Sequence, residues 1–222
     1  MKPLVLSAAT AVSLLVLAAP ASSSHVDGWY LGIEGGGNWN TDVDMDVDSI
    51  DAFFGGGFPP AGTSFDTGWM VAGTFGHAWP HVRLEFELAY RSNNHDTFAT
   101  AGVFTGTGEF DEFTQMVNLL WDIDLGPNAA LSLGGGIGGD SISYTNSLHT
   151  LPFDGSDYVF AWQLIAGLSI SVGTATDLVV NYRYMQADGP EFFETAPGPI
   201  LHNDTFDNVG HHSLTIGLRF DI

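Results

Sequence analysis

Trp29-Tyr30-Leu31-Gly32-Ile33-Glu34-Gly35-Gly36-Gly37-Asn38-Trp39 alternates apolar residues with small or polar ones and carries a tryptophan at each end. The stretch from Trp69 to Trp79 repeats the arrangement, and each pair is ten residues apart (39 − 29 and 79 − 69). Side chains on a strand alternate faces, so an even spacing puts both tryptophans of a pair on one face. Ten residues on a strand tilted by about 40° climb roughly 25 Å, the height of the lipid-facing band of a bilayer-crossing barrel between its two aromatic girdles. The solvent facing these segments is therefore read as lipid.

Six further segments alternate in the same way: 82–91, 113–123, 131–138, 160–170, 178–185 and 212–222. The segment 82–91 is the clearest, with Val82, Leu84, Phe86, Leu88 and Tyr90 set against Arg83, Glu85, Glu87, Ala89 and Arg91. Placing the apolar set of every segment outside puts all six tryptophans outward. Trp29, Trp79 and Trp121 fall at one rim, and Trp39, Trp69 and Trp162 at the other. The same assignment turns Arg83, Arg91, Arg183 and Arg219 inward and leaves no carboxylate outside. An outward charge near the bilayer midplane would cost about 2–4 kcal/mol, so the sorting has a physical cause. A soluble sandwich or lipocalin-like barrel is the rival reading. Inward glycine and alanine alongside Arg and Glu fit a small barrel with a polar-filled interior better.

The connections alternate in length. Pro80-His81, 124–129 and 173–176 are short, whereas 41–66, 92–109, 141–156 and 187–208 are long and rich in Gly, Asp, Thr, Asn and Pro. The predicted fold is an all-β, eight-stranded, antiparallel up-and-down transmembrane β-barrel. Its short turns are expected to be periplasmic and its long loops extracellular.

The N-terminus supports export. Lys2 precedes an apolar run from Leu4 to Ala18, and Ala19-Pro20-Ala21 offers a small-x-small cleavage site. Residues 1–21 are expected to be a cleaved signal peptide and 22–222 the barrel domain. The chain has no cysteine, so an exported fold must stand without disulfides. Its 26 Asp+Glu against 5 Lys+Arg give a formal net charge of −21. That balance excludes electrostatic binding of nucleic acid.

The C-terminus reads Thr215-Ile216-Gly217-Leu218-Arg219-Phe220-Asp221-Ile222. Its polar-x-Gly-x-x-hydrophobic-x-hydrophobic pattern, with Thr215, Gly217, Phe220 and Ile222 at the key positions, resembles the terminal-strand signal of barrel assembly. Together with the phrases 82–91, 160–167 and Asn181-Tyr182-Arg183-Tyr184, it resembles the outer-membrane β-barrel superfamily, and within it the small opacity-type and OmpA/OmpX-type surface proteins. Ile222 departs from the aromatic with which many members end. The resemblance implies localisation in the outer membrane of a Gram-negative bacterium. It also implies contact with outer-membrane lipid, and with barrel-assembly machinery and periplasmic chaperones during biogenesis.

Candidate sites follow from the inward set. Glu34, Arg83, Glu85, Glu87, Arg183 and Arg219 form a predicted lumen cluster, because buried charges must pair. It reads either as interior packing or as the gate of a narrow ion path. Asp42, Asp44, Asp46 and Asp48 form an acidic ladder that could bind a divalent cation weakly. It is no EF-hand, because Val47 and Phe53 occupy the positions where Gly and Glu are needed. Gly134-x-Gly136-x-x-Gly139 imitates a dinucleotide fingerprint, but no helix pattern follows it. His211-His212-Ser213 invites comparison with lipid A deacylases, yet no suitably placed Glu follows downstream in the strand. His77, beside Trp79, reads as interfacial.

The functional expectation is a monomeric envelope protein whose acidic loops meet an unidentified extracellular ligand. No catalytic residues, no cofactor and no firm metal site are expected. The rival classes are a narrow porin-like channel for small ions and a lipid-modifying outer-membrane enzyme.

Overall fold

A computed structural model describes residues 27–40, 43–46, 61–65, 67–99, 104–148, 151–195, 201–206 and 208–222. Eight long strands dominate: β1 (Gly28–Asn40), β2 (Gly68–Ala78), β3 (Val82–Ala99), β4 (Phe104–Gly126), β5 (Ala129–Leu148), β6 (Leu151–Ser171), β7 (Thr176–Ala187) and β8 (Val209–Asp221). Each pairs antiparallel with its chain neighbours, and β8 returns to β1 with Tyr30 opposite Asp221 and Asn40 opposite His211. The sheet is therefore a closed eight-stranded barrel. Closure satisfies the backbone of every wall strand without leaving an edge, the condition for a sheet in lipid.

The alternation read from the sequence is the alternation of the wall. Outward Ile33, Leu119 and Ile137 are exposed, while inward Glu87, Arg91 and Met116 have no accessible surface. So many exposed large apolar residues in one continuous band would be untenable against water. The soluble-sandwich reading fails here, because the apolar set faces out and the charged set lines the core.

The three turns at one end are short, as expected. In the β4–β5 turn Gly126 has φ of 153° and sits at a register shift between Asp124 and Gly126. Glycine is the residue that tolerates such a backbone.

The opposite end departs from the sequence reading. Segments 92–109 and 141–156 were expected as loops, yet both are mostly ladder. Pairing runs from Ser92–Asp111 to Ala99–Phe104, and from Ser141–Tyr158 to Leu148–Leu151. Segments 41–66 and 187–208 also contain short strands, Val43–Asp46, Ala61–Phe65, Glu191–Thr195 and Leu201–Phe206. Ala61–Phe65 pairs with β3. The reason is physical. Beyond the lipid band the outer face no longer has to be apolar, so the two-residue hydrophobic period vanishes while backbone pairing continues.

The predicted leader, together with Asp42 and Asp48, lies outside the described residues. Asp44 and Asp46 fall on the short strand Val43–Asp46.

Candidate functional site

The lumen is filled by a polar network whose hub is Arg183 on β7. Its Nη2 and Nη1 donate to the two oxygens of Glu34 on β1 at 2.8 and 3.0 Å, and its Nε donates to Glu87 on β3 at 3.2 Å. Nη1 also donates to Thr215 Oγ1, which in turn donates to Glu34 at 2.6 Å. Asn181 gives Glu34 two further bonds. Glu87 accepts from Asn118 on β4 and Gln163 on β6. Six of the eight strands thus contribute to one knot. Burying these charges would be prohibitive without such pairing.

A second network lies nearer the short turns. Arg83 donates through Nε to Asp122 at 2.7 Å and through Nη2 to Ser132 at 2.9 Å, and its Nη1 lies 3.6 Å from Glu85. Tyr30 donates its hydroxyl to Glu85 at 2.7 Å. The guanidinium groups of Arg83 and Arg219 lie 5.6 and 5.5 Å from the centre of the Tyr30 ring, within cation–π range. Arg219 is held by Asp177 through both Nε and Nη2. A cavity of about 20 Å³, enough for roughly one water, lies among Tyr30, Thr74, Arg83, Glu85 and Arg219.

The six predicted lumen residues therefore gather around two arginine-centred groups, which Asn118 joins by donating to both Glu85 and Glu87. Arg183 joins Glu34 and Glu87, as their expected heights suggested. Asp122, which pairs with Arg83, stood on the inward set without being counted. Asp177, which pairs with Arg219, stood just before the expected start of the seventh strand.

A third group was reached by the sequence reading only through His211, and there as part of a different motif. Glu112 on β4, Asp140 on β5 and His211 on β8 are buried together, with donor atoms within 4.8 Å of one another. His211 Nε2 is 2.9 Å from Glu112 Oε1. Arg91 is the cross-strand partner of Glu112, and its Nη1 donates to Thr114 at 2.8 Å. Glu112 and Asp140 lay just outside the segments given strand status. A strict continuation of the inward parity from Thr114 to Glu112 and from Gly138 to Asp140 would have found them.

The outer girdle and the remaining motifs are placed as follows. Trp29, Trp79 and Trp121 stand at the short-turn end, where His77 packs against Trp29 and Trp79. Trp39, Trp69 and Trp162 stand toward the other end, with Trp39 stacked on His212. Ser213 donates to Asn38 at 2.7 Å, whereas His212 points outward to the Tyr182 hydroxyl. His212 and Ser213 thus lie on opposite faces, and His211, which shares the inward face with Ser213, is hydrogen-bonded to Asn40 instead. Gly134 and Gly136 lie so close to β4 that a Cβ would collide with the Leu119 carbonyl or the Asn118 side chain. Close strand packing, not phosphate binding, accounts for these two glycines.

The terminal-strand residues close the barrel. Leu31 lies opposite Phe220, and the Ile222 amide donates to the Trp29 carbonyl at 2.9 Å. A Cβ on Gly217 would strike the Ile33 carbonyl and Glu34.

Comparison with known proteins agrees with this geometry. The family model "Outer membrane protein beta-barrel domain" matches residues 7–220. The outer-membrane protein AlkL superposes with a TM-score of 0.56 at 16% identity, covering 94% of this chain and 97% of that one. Neisserial surface protein A gives 0.53 at 14% identity, with 88% and 97% covered. OprG of Pseudomonas aeruginosa gives 0.52 at 15% identity, with 90% and 100% covered. No curated protein sequence matches significantly. At these identities the structural likeness establishes the fold, and the family match extends over nearly the whole chain. The chain belongs to the outer-membrane protein β-barrel family, an integral protein of the Gram-negative outer membrane.

Proposed function

We propose that this protein is a plugged barrel that serves envelope structure and surface interaction, with its long segments facing the cell exterior and its short turns the periplasm. One observation carries the reading: Arg183 bridges β7 to Glu87 on β3, directly across the ring. A guanidinium tied to both walls leaves no continuous aqueous path at that height. The residues outside the lumen and the lipid band are then the ones available for binding, as is usual for segments mounted on a rigid scaffold. Their acidity suits a cationic or divalent-bridged partner better than a phosphate-rich one.

Planar-bilayer recording of the refolded protein tests the plug. Conductance at the baseline of a protein-free bilayer supports it, and reproducible single-channel steps favour the narrow-channel reading instead. Crosslinking from cysteines placed in segments 92–109 and 141–156 on living cells would identify the surface partner. Labelling of those cysteines only after the outer membrane is permeabilised would reverse the assigned orientation.

A further inference from the structure

The cluster at the upper end of the lumen has a chemistry that the lower networks lack. Glu34, Glu87, Asp122 and Asp177 all receive hydrogen bonds from arginine. Glu112 and Asp140 have no accessible surface; their carboxyl groups lie against each other, and none of the four oxygens accepts a hydrogen bond from any other described residue. Two carboxylates share one nearby cation, Arg91, whose Nε and Nη2 also lack partners among the described residues.

His211 sharpens the point. Its Nδ1 sits 2.8 Å from Asn40 Oδ1, which already accepts from Asn38 Nδ2 at 3.1 Å. That oxygen is an acceptor, so Nδ1 carries the proton. A neutral ring then leaves the bare Nε2 lone pair buried without a partner, 2.9 Å from Glu112 Oε1 but outside hydrogen-bond geometry with it. Buried lone pairs on a nitrogen and on carboxylate oxygens that no donor satisfies are the signature of a site built for a cation. A histidine oriented through its other nitrogen by an amide oxygen is the usual arrangement of a metal ligand.

We propose that Glu112, Asp140 and His211 form a binding site for one divalent transition-metal ion of the zinc type. One imidazole nitrogen and two carboxylate oxygens are a borderline donor set, which suits zinc-like ions, whereas calcium and magnesium take oxygen ligands. Donor atoms around a tetrahedral zinc stand roughly 3.3 Å apart. Rotamer-scale movement closes the present separations of up to 4.8 Å. The three ligands come from β4, β5 and β8, so the ion would tie opposite walls of the barrel together.

The full-length protein, refolded into detergent micelles with zinc chloride and then desalted, is expected to retain one equivalent of zinc by elemental analysis. Glu112→Gln, Asp140→Asn and His211→Gln, each checked for folding by its gel shift, are expected to lower zinc affinity by about tenfold or more. X-ray absorption of the wild-type protein should show a histidine nitrogen and carboxylate oxygens at about 2.0 Å. Absence of retained zinc in the wild type would overturn the site and leave a proton as the shared cation. So would folded variants that retain zinc like the wild type, or an absorption spectrum with no histidine contribution.

Discussion

Arg183 and Glu87 sit on strands four steps apart in a ring of eight, yet Arg183 Nε lies 3.2 Å from Glu87 Oε2. Opposite walls of the barrel meet through this pair. A second contact of the same kind, His211 to Glu112 at 2.9 Å, joins β8 to β4. The two levels are four residues apart along β3, from Glu87 to Arg91, or about 13 Å of strand.

Replacing Arg183 with Ala leaves Glu34 and Glu87 buried without their guanidinium. The expected loss of stability is about 3–5 kcal/mol, because removing one partner of a buried pair strands the other charge. Urea titration of the folded-to-unfolded gel shift in lipid measures it. Bilayer conductance should stay at baseline, since Gln163, Asn118 and Thr215 still fill the same height. Open-channel conductance with unchanged stability would assign the pair to a gate.

Unboiled protein should migrate faster than boiled protein in SDS gels. A closed barrel has no edge strand at which detergent can begin to unfold it. Equal mobility under both conditions would contradict the closed ladder between β1 and β8.

Deleting Phe220–Ile222 should block assembly in cells. The deletion removes the Leu31–Phe220 and Tyr30–Asp221 pairings and the Ile222–Trp29 hydrogen bond, so β8 no longer finishes on β1. It also removes two residues of the resembled assembly signal. Protease accessibility of an epitope in segment 141–156 on intact cells is the readout. Normal display of the truncated chain would show that these residues are dispensable for both roles.

Gly217→Ala should lower stability by about 1–3 kcal/mol, the usual cost of forcing an extra carbon into a packed site. The added Cβ meets the Ile33 carbonyl, which is backbone and cannot rotate away. Gly37→Ala on the neighbouring strand is the comparison, because a Cβ there meets nothing within 4 Å. Denaturant midpoints of the two variants should differ clearly. Equal midpoints would remove close strand approach as the reason for glycine at 217.

The wall of the barrel is legible strand by strand in the amino-acid order. Lipid punishes an outward charge, so every strand crossing the band had to sort its residues by parity. That sorting is local and can be read two residues at a time from Trp29 to Trp39 or from Val82 to Arg91. It assigned the faces of Glu34, Arg83, Glu87, Arg183 and Arg219 without any knowledge of neighbours. What those side chains touch follows only from the closed barrel. Contacts across a barrel depend on closure, tilt and stagger, which no single strand carries in its own pattern. Hence Arg219 pairs with Asp177 and Arg83 with Asp122, partners that parity alone could not single out. The same limit hid Glu112 and Asp140, and with them the neighbours of His211. They stand where the lipid ends, the hydrophobic period fades and only the hydrogen-bonded ladder continues, so the fold alone brings them into one site.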